Sequence, residues 1–363
     1  MKIAAIETIV VRLPFRHDGP PTGFGGKIWE TLDTLLVKVE SDAGITGWGE
    51  AFGYNCIPAT RAAIETQIAP LAIGQDARDI AGLGRRLQQQ LHLFGRGGPV
   101  TYGLSGLDIA LWDIAGKAAG LPLHRLLGGA GRTDVPAYAS LLRYTDPDAV
   151  GRVTASAVRH GYRHVKLHEI TVEAAAAARV AAGPDVAIML DTNCPWTLDE
   201  ALAMARGLAP SDLFWLEEPI WPPENHGGLA ALRRRATMPI AAGENAISPM
   251  DFAAMFAAGA VDIAQPSVTK IGGVTAMREV MAIAAGYNVQ VTPHAPYFGP
   301  GMLATLQLLA ASPVPALFER LYVDLEASFF GDLSDAVDGR MRIPDGPGLG
   351  CDPDMAVIAR HKA

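Results

Sequence analysis

The run Phe214-Trp215-Leu216-Glu217-Glu218-Pro219 carries three apolar residues straight into two acids and a proline. A short apolar run of this kind reads as a buried parallel strand. Pro219 stops it and restricts Glu218, so Glu217 is expected at the C-terminal lip of the strand. The same shape recurs on both sides. Val186 to Leu190 runs into Asp191, 26 residues earlier, and Pro239 to Gly243 runs into Glu244, 27 residues later. Three carboxylates therefore end three successive strands at near-constant spacing.

Working outward, strand and helix patterns alternate from Val135 onward. Strands are expected at Val135–Leu142, Tyr162–His168, Val186–Asp191, Leu213–Glu217, Ile240–Glu244, Val261–Ala264, Val289–Thr292 and Ala316–Glu319, with seven helices between them. The strand-end positions His168, Asp191, Glu217, Glu244, Ser267, His294 and Glu319 are separated by 23, 26, 27, 23, 27 and 25 residues. Alternating β and α units at such a repeat predict a parallel sheet, and eight units predict a closed TIM-type barrel. In that architecture catalytic groups come from the C-terminal strand ends, so this set forms the expected rim.

Residues 1–130 have a different texture. Ile3–Leu13, Thr34–Glu40 and Ile45–Glu50 read as antiparallel strands, and Pro58–Leu71, Arg78–Phe94 and Thr101–Gly120 as helices. The fold class is thus α/β: a modified (β/α)7β barrel over 131–323, with an α+β N-terminal capping domain over 1–130. Residues 324–363 are expected to pack back on the cap, and the boundary falls near Gly131. Two loops, near 16–30 and 51–58, are candidate lids. The first is glycine-rich and too irregular for a regular element, and Phe24 and Trp29 give it apolar groups to lay on a ligand.

Composition narrows the partners. Lys+Arg of 30 against Asp+Glu of 38 gives net −8 with no basic block, which argues against nucleic acid. Cys56, Cys194 and Cys351 are widely spaced and odd in number, which fits a reducing, cytoplasmic compartment. The start of the chain lacks the pattern of a signal peptide, and no apolar run reaches membrane-spanning length.

Asp191, Glu217 and Glu244 are hard oxygen donors with no Cys or His among them, a set that suits Mg²⁺ or Mn²⁺ over Zn²⁺. A single acid is more often a salt-bridge partner, but three at successive strand ends favour a metal. Lys166 and His168 are two apart, so both side chains point into the barrel, where either can act as a base. A nearby cation would move Lys166 toward neutrality. His294, on strand seven, lies across the mouth from them. Glu319, on strand eight, could donate to a carboxylate oxygen if protonated.

Taken together, Gly47-Trp48-Gly49-Glu50, Leu107-Asp108-Ile109-Ala110-Leu111-Trp112-Asp113, Leu126-Leu127-Gly128-Gly129, Lys166-x-His168, Asp191-x-Asn193, Glu217-Glu218-Pro219, Gly243-Glu244-Asn245, Lys270-Ile271-Gly272-Gly273, Pro293-His294, Glu319 and Pro344 to Gly350 resemble the enolase superfamily in its mandelate racemase / muconate lactonising branch. The resemblance spans essentially the whole chain. It implies Mg²⁺ on Asp191, Glu217 and Glu244, and removal of the α-proton of a small carboxylate substrate to give a metal-stabilised enediolate. It implies catalytic roles for Lys166 or His168, His294 and Glu319, with Asn193 a polar contact near the metal. Phe24, Trp29, Tyr54 and Asn55 are the candidate substrate contacts of the lids. A homo-oligomer is a further implication of the resemblance.

Two departures bear on the reaction. This branch usually carries Lys-x-Lys on strand two, whereas the second position here is His168. Strand six usually offers an Asp that orients the strand-seven His, or a catalytic Lys, whereas Ser267 occupies that slot; Lys270, three residues on, reads as structural. With the metal set intact, dehydration of a hydroxy acid or acid sugar is the leading expectation. A racemase, epimerase or lactone cycloisomerase, and a non-catalytic metal-binding barrel, are the alternatives.

Overall fold

The computed structural model describes residues 1–24, 27–129 and 132–363. The expected boundary at Gly131 lies outside the described residues. From Asp134 the chain forms eight parallel strands: Asp134–Ser140, His164–Leu167, Ala187–Asp191, Leu213–Glu217, Ile240–Ala242, Ile263–Ala264, Gln290–Val291 and Phe318–Leu321. Counted in chain order, they pair as 7-6-5-4-3-2-1-8 and curl into a barrel. Among the described residues, strands seven and eight share no ladder pair. There the Ala295 N–H donates to Glu319 Oε2 at 2.9 Å and ties the two together.

Period-two alternation sets the barrel interior. Tyr138, Met189, Trp215 and Leu317 cluster there with Ala241 and Ile263 and plug the centre. Two residues on, the same strands present Ser140, Asp191, Glu217 and Glu319, so a polar layer sits directly above an apolar one. Strands five, six and seven are shorter than the sequence suggests. In strand five the cause is Gly243: it takes φ +134, and a Cβ there would stand 2.7 Å from the Phe252 ring. Regular pairing stops and Glu244 is re-aimed over the mouth.

In the cap, a long strand Ile3–Arg16 pairs with Thr31–Ser41, which pairs with Thr46–Ala51. Helix Pro99–Ala119 packs on this sheet so closely that a Cβ on Gly47 or Gly49 would come within 2.1 or 1.9 Å of a helix carbonyl oxygen. The loop between the first two strands is not wholly irregular: Gly23–Phe24 and Lys27–Ile28 form a short ribbon. The tail touches both parts. Asp324–Leu325 extends the cap sheet beside Phe15 and Arg16, while Arg340–Arg342 pairs with barrel strand one.

Three buried cap carboxylates fasten cap, barrel and tail through backbone N–H groups. Glu50 accepts from Gly301 (2.8 Å), in the first turn of helix Pro300–Ala311. Asp108 accepts from Thr275 N (3.0 Å), in the first turn of helix Gly273–Gly286. Asp113 accepts from Trp48 N (2.9 Å) and from Leu349 N (2.8 Å) in the tail. The first two exploit the partial positive charge of a helix N-terminus. Among the described residues, no helix is long and apolar enough to cross a membrane.

Burial pushes both Glu50 and Asp108 up to about 7, against the pull of the backbone donors. A carboxyl that binds its proton more tightly when folded favours the folded state at low pH. That contribution fades as pH rises from the ordinary carboxylate range to about 7. The stability gap between wild type and Glu50→Gln should therefore shift toward the wild type by about 2–3 kcal/mol as pH falls from 8 to 5. Thermal or urea unfolding of both proteins at the two pH values measures it, and a gap that does not move with pH rules the account out.

Candidate functional site

The polar layer of the barrel converges on one ammonium. Lys166, on strand two, has no exposed surface, and its Nζ lies 2.8 Å from Glu217 Oε1, 2.8 Å from Glu319 Oε1 and 3.4 Å from Asp191 Oδ2. Its ammonium rests over the Tyr138 ring, 5.6 Å from the centroid. Each carboxylate has a second donor. Trp215 Nε1 donates to Glu217 Oε2 (2.8 Å), two residues back on the same strand. Ser140 Oγ donates to Glu319 Oε1 (2.8 Å), and Asn193 N to Asp191 Oδ1 (3.0 Å).

Asp191, Glu217 and Glu244 each offer an oxygen, all within 4.8 Å of one another. Their donor set and proximity fit a hard divalent cation. Electrostatics divide these acids. Burial alone would raise Asp191, but the Lys166 ammonium and His168 override it and hold the carboxyl at about 2. Glu319 likewise is buried yet held at about 2 by Lys166 and His294. For Glu217 burial prevails over Lys166 and the carboxyl rises. One ammonium does not offset three buried acids, and Glu217 carries the surplus.

Among the chain's own groups, burial opposes the Lys166 charge, but Glu217, Glu319 and Asp191 overrule burial and hold it as an ammonium. Glu319 accepts from Lys166, Ser140 and Ala295.

A cavity of about 580 Å³ opens above this layer, between the barrel mouth and the cap. His168, Asn193, Glu244, His294 and Glu319 line it from below; Trp29, Tyr54 and Asn55 line it from the lids. The side chain of Phe24 lies outside the described residues. Ser267 does not reach the cavity. It is fully buried and its hydroxyl meets that of Tyr297, so its expected substrate contact is withdrawn. Lys166 does not line the cavity either, whereas His168 does, with Nε2 at 3.2 Å from Asp191 Oδ2 and Nδ1 on the Leu141 carbonyl. His294 places Nε2 at 2.8 Å from Glu244 Oε2.

Other lining residues escaped the sequence reading. Arg143 follows strand one and donates to the His168 carbonyl (2.8 Å) and to Asn193 Oδ1 (2.9 Å). Its signal was a cation directly after an apolar run, the shape that marks the other strand ends. Lys270, read as structural, lines the cavity with its ammonium 4.9 Å from the Phe52 ring centroid. Tyr102 comes from a cap helix, and no local pattern distinguishes it from core.

Three rim carboxylates, a buried lysine and two cavity histidines beneath a two-part cap define a barrel enzyme class with an acid/base site beside a candidate metal centre. Comparison with known proteins places the chain within it. The Mandelate racemase / muconate lactonizing enzyme N-terminal domain matches residues 5–128, and the Enolase C-terminal domain-like family matches 149–357. The chain belongs to the mandelate racemase / muconate lactonizing enzyme family of the enolase superfamily, and is an enzyme of its lyase or isomerase kind. It is 33% identical to the D-galactarolactone cycloisomerase of Agrobacterium fabrum, over 100% of this chain and 99% of that one. It is 31% identical to the arabinonate dehydratase of Saccharolobus solfataricus, over 91% of each chain. A mandelate racemase/muconate lactonizing protein from Paracoccus denitrificans, solved in complex with magnesium, superposes with a TM-score of 0.85 at 28% identity and 99% coverage of both chains.

Replacing Lys166 removes the counter-charge of three buried acids. Lys166→Met should destabilise the cation-free protein by about 3–5 kcal/mol. Saturating Mg²⁺ or Mn²⁺ should recover part of that loss, because the cation supplies charge at two of the same carboxylates, Asp191 and Glu217. Thermal melts with and without the cation decide it; a loss equal in both conditions removes Lys166 from the cluster's charge balance.

Proposed function

We infer that the protein is a Mg²⁺-dependent lyase that removes the α-proton of a carboxylate substrate and then expels a β-hydroxyl, dehydrating a small hydroxy acid or acid sugar. The observation that carries this reading is the pair of histidines, His168 and His294, on the same cavity and each against an acid of the three-carboxylate cluster. Mg²⁺ held by Asp191, Glu217 and Glu244 would stabilise the negative charge that develops on the substrate carboxylate as the α-proton leaves.

The chain's own groups divide the remaining work. His168 is the base. Its Nδ1 donates to the Leu141 carbonyl, so the proton it gains or loses is the one on Nε2, which faces Asp191 Oδ2 at 3.2 Å. Lys166, out of reach below, keeps its positive charge against the reacting carboxylate, locked by Glu217 and Glu319. His294, on the other side of the mouth, gives a proton to the departing oxygen. Trp29, Tyr54 and Phe52 form an aromatic roof, with adjacent ring centroids 5.2 and 5.0 Å apart, that limits water over the cavity.

Lactone cycloisomerisation is a second reading with its own support. Ser267 leaves His294 without a carboxylate behind it, and eliminating a ring carboxylate from a lactone asks less of an acid than expelling hydroxide. The full-length likeness to a galactarolactone cycloisomerase favours it too.

A panel of acid sugars and their lactones, incubated with enzyme and Mg²⁺ in D₂O, tests both readings. A 2-keto product formed from an open-chain acid sugar with loss of one water marks dehydration. A ring-opened 2-keto product isomeric with the lactone it came from marks cycloisomerisation. His168→Ala and His294→Asn should each slow turnover about 10²–10⁴-fold. Mg²⁺ at a hundred times its dissociation constant should add about 2.7 kcal/mol of stability. Silence across the panel, with Mg²⁺ shown to bind, would remove acid sugars as the substrate class.

A further inference from the structure

We propose that Arg143 recognises a second carboxylate, at the end of the substrate far from the metal acids, so that the substrate is an open-chain diacid. This rests on the dehydration reading above, in which the reacting carboxylate sits at the three-carboxylate cluster, and it names what meets the other end of the molecule.

Counting donors singles out Arg143. Its Nε donates to the His168 carbonyl at 2.8 Å. Its Nη2 donates to Asn193 Oδ1 at 2.9 Å and to the Thr192 carbonyl at 3.3 Å. These acceptors lie just past the ends of strands two and three, so one edge of the guanidinium is pinned to the barrel. Among the described residues, Nη1 and its two N–H groups have no acceptor. Arg179 and Arg320 also bind strings of backbone carbonyls, but each uses all three of its nitrogens. Those two are fasteners; Arg143 is a fastener with a nitrogen to spare, on a residue that lines the cavity.

Its charge is also unanswered. Glu169 feels the Arg143 charge, but its oxygens accept from the Tyr144 and Thr145 N–H groups. The cavity's other basic side chains are engaged. Lys270 rests over the Phe52 ring and helps to hold Glu244 ionised, while His168 and His294 each face an acid of the cluster. A half-buried guanidinium gains most from a charged acceptor. A hydroxyl would fill the hydrogen bond and leave the charge. One nitrogen with two N–H groups matches a carboxylate, whereas a phosphate dianion would bring a charge that this site does not balance.

The position suits a distal group. The first lid docks on this segment: the Thr22 hydroxyl donates to the Arg143 carbonyl, and Gly19 lies so close that a Cβ there would stand 2.1 Å from the Tyr144 ring. Thr22 and Gly23 line the cavity together with Arg143. The spare nitrogen therefore belongs to the seam between lid and barrel, and the metal acids to the floor.

Matched pairs that differ only at C6 provide the test: glucaric against gluconic acid, and galactaric against galactonic acid. Calorimetry on the Mg²⁺-loaded protein gives binding, and kcat/KM gives turnover. Wild type should favour the diacid of at least one pair by about 10–100-fold, the worth of one charge-assisted hydrogen bond. Arg143→Gln should bring that ratio to within about threefold, and Arg143→Lys, which keeps the charge, should retain part of it. The ratio is the readout because Arg143 also holds the His168 carbonyl, so both rates fall in the variants. Equal or weaker binding of the diacids by wild type overturns the proposal, whether or not the variants fold. So does the absence of binding by any of the four acids, or an unmoved ratio in folded Arg143→Gln. A diacid preference that Arg143→Gln abolishes, without turnover of any acid, removes the dehydration reading and leaves the recognition standing. Dehydration of monoacids with no diacid preference does the reverse.

Discussion

Everything at the mouth of the barrel depends on one buried ammonium. Lys166 touches acids from strands three, four and eight; three and four are ladder neighbours, and the curl of the barrel brings Glu319 of strand eight to the same point. Without a positive charge at that point, three carboxylates could not share so small a volume, since an uncompensated buried charge costs several kcal/mol. The apolar layer beneath serves the same end. Tyr138 lies under the ammonium, and Trp215 donates to Glu217 from two residues back, so the strand period that builds the plug also orients the acids above it. The arrangement remains short of positive charge, which is why Asp191 and Glu217, joined by Glu244, suit a divalent cation.

The cap is fastened by a related device. Glu50 and Asp108 place ionisable side chains at the N-termini of the helices after strands seven and six, and Asp113 holds the tail. Motifs that read in sequence as mere fingerprints thereby acquire physical content. The glycines of Gly47-Trp48-Gly49-Glu50 let helix Pro99–Ala119 press against the strand, and the Glu completes the interface. Since strand seven leads to His294 and the loop after strand six to Lys270, the cap's anchors set the very segments it must cover.

The two histidines differ in what stands behind them. His168 and His294 line the same cavity, yet one is backed by a carbonyl oxygen and the other by a hydroxyl pair.

The sequence by itself determined the barrel and its metal-type acids. Strand period, proline and glycine stops, and the recurrence of a polar residue after each apolar run are local signals, and they put Asp191, Glu217 and Glu244 at strand ends before any coordinates. It also exposed the two odd positions, His168 and Ser267. Only the tertiary structure decided what those positions do. Ser267 reads as a rim residue, but strand six ends at Ala264, and the chain beyond it turns the hydroxyl into Tyr297 and away from the cavity. Lys166 reads as a base, but its charge state belongs to acids up to 153 residues away in the chain. Arg143, Lys270 and Tyr102 join the cavity through packing between cap and barrel. Spacing along the chain tells which way a side chain leaves its own strand; hydrogen-bond partners and net charge at a point are set by groups that only the closed barrel brings together.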